Sequence, residues 1–113
     1  MKRQEKTQRQ KKVQELIRQI ASDFISRETN ATSLITITSV DISPNLSSCD
    51  LFVTVFPEES TESALNFLKR KRPELKQYIK SKMRIRRIPF FDFKIDIGEL
   101  NRQRIEEISA KNK

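Results

Sequence analysis

Residues 34–56 read LITITSVDISPNLSSCDLFVTVF, and this stretch decides the fold class. Leu34–Ile42 is rich in Ile, Thr and Val, whose branched side chains suit a pleated strand. Its alternation slips between Ile37 and Val40, which predicts a β-bulge there. Ser43-Pro44-Asn45-Leu46-Ser47 has the composition of a turn. Residues 51–56 follow as a second strand, and so short a connection makes the pair antiparallel. Pro57 closes it.

Upstream, Val13, Leu16, Ile17, Ile20, Ala21, Phe24 and Ile25 recur at the three- and four-residue spacing of an amphipathic helix. Thr7 and Gln10 have the spacing of a capping box, and the polar residues 26–33 end the helix. Downstream, Glu58, Glu59 and Glu62 suit the positive end of a helix whose apolar residues are Ala64, Leu65 and Leu68, with Phe67 beside them. Pro73 interrupts that run, and Leu75, Ile79 and Met83 resume it. Two helices are expected, or one sharply kinked helix, with Pro73 opening the second part and Pro89 ending it. Residues 90–97 then alternate as a strand, with Phe91, Phe93, Ile95 and Ile97 on one face and Phe90, Asp92, Lys94 and Asp96 on the other. Gly98 is expected to end it, and Leu100, Ile105 and Ile108 suggest a short last helix. The order α-β-β-α-α-β describes an α+β domain with helices on one face of a three-stranded sheet. Residues 1–8 are expected to be a flexible basic tail, 9–98 the domain, and 99–113 a short helix or tail. Apolar residues are only 35% of the 113, so solvated ends are expected.

The net charge of +8 is unevenly spread. Residues 1–12 hold six positive charges against Glu5, and residues 69–87 hold ten against Glu74 alone. The segment between them is acidic. A field concentrated in this way favours a polyanion, and an RNA in particular.

Several chemistries are excluded by composition. The chain has no histidine, which removes an imidazole base or ligand. Cys49 is the only cysteine, so neither an internal disulfide nor a cysteine-cluster metal site can form. Gly98 is the only glycine, so no glycine-rich phosphate loop exists. No apolar run approaches 18 residues and no signal-peptide core opens the chain, so a cytoplasmic, membrane-free protein is expected. Asp92 and Asp96 are the only carboxylate pair suggestive of a metal nuclease. Four residues along a strand separate them by about 13 Å, whereas two-metal chemistry needs ions about 3.5–4 Å apart. A non-enzymatic binder with no cofactor, no metal and no small-molecule substrate is therefore expected.

The element order with its basic flank is that of a type II KH domain, an RNA-binding fold that ordinarily clamps nucleic acid with a GXXG loop between its paired helices. Here that position reads Lys69-Arg70-Lys71-Arg72-Pro73, a kinked helix pair in place of the loop. A KH-like chain lacking the loop resembles the bacterial ribosome-binding factor A family over residues 9–97. The resemblance rests on Val13-Gln14-Glu15-Leu16-Ile17-Arg18, on residues 35–46, and on Leu75-Lys76, Met83-Arg84-Ile85-Arg86, Pro89 and Phe93. Departures are Asn45 where Asp is usual, Cys49 where Ala is usual, Pro73 where a small residue marks the kink, and Lys76 where Arg is common. Lysine at 76 keeps charge pairing but lacks the planar fork for bidentate phosphate contact. The resemblance implies a monomeric, non-catalytic factor that binds the immature small (30S) ribosomal subunit. It further implies contact with 16S ribosomal RNA near the decoding region and a part in late maturation and 5′-end processing.

The candidate RNA-binding residues are Arg9, Lys12, Lys69, Lys71, Arg72, Lys76, Lys80, Arg84, Arg86 and Arg87. On a continuous helix Lys76, Lys80 and Arg84 would form a ladder one turn apart, and an anionic partner would relieve its self-repulsion. Arg86 or Arg87 could instead cap that helix's C-terminus. Phe90 is expected to pack beneath the C-terminal segment, with stacking on a base as the alternative. Cys49 reads as a small apolar filler. A general RNA chaperone is the competing function within the binding class. A membrane-surface role is disfavoured because the apolar stripes are consumed by one core.

Overall fold

The computed structural model describes residues 7–29 and 33–111. The order is α1 (Gln8–Glu28), β1 (Leu34–Ile42), β2 (Ser48–Phe56), a 3-10 turn (Glu58–Ser60), α2 (Thr61–Arg70), α3 (Arg72–Lys82), β3 (Phe90–Ile95) and α4 (Ile97–Lys111). Residues 1–6 of the expected basic tail, the middle of the α1–β1 connection at 30–32, and residues 112–113 lie outside the described residues.

Helix α1 begins with the expected capping box. Thr7 Oγ1 accepts from the Gln10 amide at 3.1 Å, and Gln10 Oε1 accepts from the Thr7 amide at 2.8 Å. Ile17, Ala21, Phe24 and Ile25 face the sheet and are buried. Leu16 does not join them: it is 43% exposed, because it falls one residue to the side of that narrower stripe. Gln14 Oε1 accepts from the Ile42 amide at 3.0 Å, tying α1 to the end of β1.

Strands β1 and β2 pair antiparallel, with the register shifting between Ile37 and Ser39, so the expected bulge is present. At the turn Asn45 Oδ1 accepts from the Ser47 amide at 3.2 Å and from both the Ser43 and Ser47 hydroxyls. These are acceptor roles an aspartate would also fill, so Asn45 loses nothing here. Strand β3 pairs with β2 in parallel, from Ser48 opposite Phe90 to Val53 opposite Ile95, giving the order β1-β2-β3. Leu51, Val53, Phe91 and Phe93 meet α1, α2 and α3 in one core that also buries Cys49, Leu68, Leu75 and Ile79. Cys49 is indeed an apolar filler.

Several boundaries differ from expectation: β2 begins at Ser48, three residues before Leu51, and Glu58 and Glu59 lie in the 3-10 turn ahead of α2, whose own first turn carries only Glu62. Helix α3 stops at Lys82 and does not reach Pro89, because Met83 turns to extended geometry (φ −125°, ψ 144°). Met83 still seats its side chain in the core at 8% exposure, and the half-buried Ile85 and Ile88 follow; their β-branching favours extended backbone. Strand β3 stops at Ile95, so Ile97 is not a core residue but a 66% exposed residue at the start of α4. Asp96 is the cause. Its Oδ1 accepts from the Glu99 amide at 3.0 Å, which is N-cap geometry, and Gly98 lies inside the first turn. Helix α4 is also longer than the short element expected, at 15 residues, and Arg104 pairs with Glu58. Among the described residues no helix is long and apolar enough to cross a membrane.

Urea unfolding distinguishes these placements. Phe93→Ala should cost about 3–5 kcal/mol. Asp96→Ala should cost about 1 kcal/mol through the lost cap, and Ile97→Ser should stay within about 0.5 kcal/mol of the parent.

Candidate nucleic-acid interface

Pro73 organises the joint between α2 and α3, where Lys71 is the one residue separating the two helices. In a continuous helix residue 73 would donate its amide to the carbonyl of Lys69, and proline has no such hydrogen. That carbonyl accepts instead from Arg72 Nε at 3.1 Å. Arg72 Nη1 reaches on to Asp92 Oδ1 of β3, also at 3.1 Å, and Lys69 Nζ lies 4.0 Å from the same oxygen. The Arg72 guanidinium carbon stands 5.3 Å from the centre of the Phe90 ring. One side chain thus ties the interhelical joint to the first half of β3.

Lys71 is also engaged, with Glu74 at 3.1 Å and Glu28 at 3.5 Å. The hydrogen bond to Glu74, followed by the charges of Glu74 and Glu28, holds its ammonium above the usual lysine range. Lys69, Lys71 and Arg72 are therefore partly neutralised by the fold itself.

The other candidates are placed differently. Lys76 and Lys80 are exposed one turn apart on α3, beside the buried Leu75 and Ile79. Arg84 is not the third rung of that ladder, because α3 has ended two residues earlier. Arg84, Arg86 and Arg87 are exposed along the segment between α3 and β3, and none of them caps α3. Among the described residues, none of these five forms an ion pair. Arg9 and Lys12 are exposed on the first two turns of α1. Contacts of Lys71 with Glu28 and of Tyr78 with Asp23, and a shallow hollow lined by Lys82 together with Gln19 and Ile20, show that α1 and α3 run antiparallel. The N-terminus of α1, with Arg9 and Lys12, therefore points toward the end where α3 gives way to Arg84.

The basic residues trace a circuit. It leaves the joint at Arg72, runs along α3 for roughly 16 Å, and returns through Arg84, Arg86 and Arg87 to Phe90 beside Arg72. The opposite face of the sheet carries a row of carboxylates. Asp41, Asp50 and Asp92 are cross-strand neighbours in one row. Lys94 bonds Asp50 at 3.0 Å, and this bond, with the charges of Asp50, Asp92 and Asp41, raises its affinity for a proton. Asp92 is paired with Arg72 and Lys69, and Asp50 with Lys94, so the row is largely neutralised and the excess positive charge that draws a polyanion lies along α3 and the segment after it.

Asp92 was not legible as the anchor of this site, and Phe90 was expected to be covered. The residue is 61% exposed; α4 departs from the other end of β3 and is held to Glu58 through Arg104. A cation-rich joint followed by an outward-facing aromatic and carboxylate at i and i+2 of an edge strand is the signal that would have found both. Neither Asp92 nor Asp96 stands free for catalysis: Asp92 holds Arg72 and Lys69, and Asp96 caps α4 and accepts from Thr38. Among the described residues no group of three or more potential ligands could hold a metal ion.

Comparison with known proteins adds a family to this geometry. The sequence model of the family described as "Ribosome-binding factor A" matches residues 9–109. The chain is 32% identical over 91 residues to ribosome-binding factor A of Natranaerobius thermophilus, spanning 78% of this chain and 70% of that protein. The crystal structure of ribosome-binding factor A from Thermus thermophilus superimposes with a TM-score of 0.69 at 24% identity, covering 76% of this chain and 93% of that one. A homology model of the Thermus thermophilus protein, fitted into a cryo-electron-microscopy map of a 30S complex, gives 0.64 at 26% identity, with 72% and 88% covered.

The bracket built by Arg72 can be measured in urea unfolding. A double-mutant cycle of Arg72→Ala with Asp92→Ala should return a coupling of about 0.2–1 kcal/mol, as expected for a partly exposed pair. Arg72→Ala alone should cost more than Asp92→Ala, because the Lys69 carbonyl loses its donor as well.

Proposed function

This chain belongs to the ribosome-binding factor A family, and on that premise we propose that it binds the immature small (30S) ribosomal subunit through its basic circuit. It contacts 16S ribosomal RNA near the decoding region and supports late maturation and 5′-end processing, acting in the cytoplasm as a monomer and without catalysis. The observation that carries this reading is the set of exposed cations, Lys76, Lys80, Arg84, Arg86 and Arg87, which among the described residues form no ion pair, concentrated on α3 and the segment after it. The relative fitted into a map of a 30S complex supports the small subunit as the target.

The joint argues for folded RNA over a threaded single strand. A GXXG loop clamps a backbone by letting it approach glycine closely. Here Lys69, Lys71 and Arg72 fill that position and are bonded to Asp92, Glu74 and Glu28. Such a surface presents fixed charge to phosphates whose positions are set by the RNA's own fold. Arg9 and Lys12 extend it from α1, and residues 9–98 make up the binding domain.

Sedimentation with ribosomal particles tests the proposal. The protein should travel with free small subunits and little with assembled ribosomes. Lys76→Glu with Lys80→Glu should abolish that while leaving the unfolding free energy in urea within about 0.5 kcal/mol of the parent, since both residues are exposed. With about six phosphates contacted, affinity should fall on the order of a thousandfold between roughly 50 and 200 mM salt. Equal binding to any RNA would identify a general RNA chaperone, and a flat salt response would refute the electrostatic mechanism.

A further inference from the structure

We infer that Phe90, braced by Arg72, is a stacking platform for one unpaired base of the RNA. This rests on the function proposed above and adds a contact that reads an unstacked nucleotide beside the phosphate-binding circuit.

The ring is at the first position of β3, on the open side of an edge strand, and 61% of the residue is exposed. A lone exposed phenylalanine needs no explanation. Phe90 is not alone, because a guanidinium stands 5.3 Å from its ring centre and is held there by two bonds of its own, to Lys69 O and Asp92 Oδ1. The cation is therefore positioned before any ligand arrives. A guanidinium attracts the face of an aromatic ring, and a base can stack on either group.

The surroundings leave room for a base. The cross-strand neighbour of Phe90 is Ser48, small and exposed, and among the described residues no strand lies on the other side of β3. The backbone beneath is fixed by the Phe90 amide, which donates to Ser47 O at 3.0 Å, and by Phe91 and Pro89, which are both buried. Arg86 and Arg87 are exposed in the segment that leads into β3, four and three residues before the ring, and add positive charge to that approach. Arg72 uses only part of its five-donor fork on the protein, and the remaining hydrogens can meet acceptors on the base or its phosphate. An aromatic face beside a positive track is the combination that binds unpaired nucleotides with little sequence preference.

The test uses the full chain and two RNA probes of equal length: a hairpin whose loop carries an unpaired 2-aminopurine, and a blunt duplex. Binding of the hairpin should quench the fluorophore. Phe90→Ala and Phe90→Leu should both weaken hairpin binding by about 5- to 150-fold and abolish the quench, with duplex affinity and urea midpoint unchanged. Phe90→Trp should retain affinity and quench. Leucine is the informative variant, because a merely apolar role at the strand edge would tolerate it. Unchanged hairpin binding in Phe90→Ala, or equal losses on hairpin and duplex, would overturn the platform. The Lys76→Glu, Lys80→Glu protein is run alongside: if it keeps full affinity for both probes, the RNA-binding surface itself is wrong, a failure distinct from that of the platform.

Discussion

The parallel pairing of β2 with β3 is the constraint on which the rest of the molecule depends. Parallel neighbours cannot be joined by a tight turn, so the chain must leave the end of β2 and return to the start of β3. That return is made by α2, α3 and the extended segment after Lys82, and these carry nearly all of the domain's excess positive charge. The crossover that completes the core, through Leu68, Leu75, Ile79 and Met83, is thus also the element that displays the cations. Burial fixes one side of α3, and the helical period then fixes where Lys76 and Lys80 must point.

Within that crossover the missing hydrogen of Pro73 has an outsized structural consequence. It frees a carbonyl at Lys69, and Arg72 fills the vacancy with its own side chain. An arginine used in this way is no longer a mobile surface cation. Its Nη1 is directed onto Asp92 and its guanidinium is brought beside Phe90, so a helix break becomes a joint between two layers of the fold. On the open sheet face Asp50 and Asp92 are matched by Lys94, Arg72 and Lys69, so the unbalanced positive charge is concentrated along α3 and the segment leading to Phe90. Charge concentrated in this way orients an encounter before any close contact forms.

Most of the secondary structure was legible in the sequence for identifiable reasons. The bulge in β1 followed from a slip in alternation, the α1 cap from a Thr7–Gln10 spacing, and the helix break from Pro73. The errors fell where two local signals competed. Ile97 continued the strand alternation while Asp96 and Glu99 carried an N-cap, and the cap prevailed because it satisfies a helix amide that would otherwise lack a partner. Arg84 continued the spacing of Lys76 and Lys80, but Met83 reaches the core from an extended backbone, and burial outweighed helical continuation.

Composition and periodicity alone determined the α+β class, the element order, the lack of imidazole and glycine-loop chemistry, and the basic stretch at residues 69–87. These are local properties, set by side-chain type and spacing along the chain. Which of the cations are free was decided only by the tertiary structure, since it depends on what lies across from each one. Asp92 is 20 residues from Arg72 in sequence, and Glu28 is farther still from Lys71. The exposure of Phe90 was settled in the same way: alternation placed it on the outer face, but only the path of α4 away from β3 left that face open.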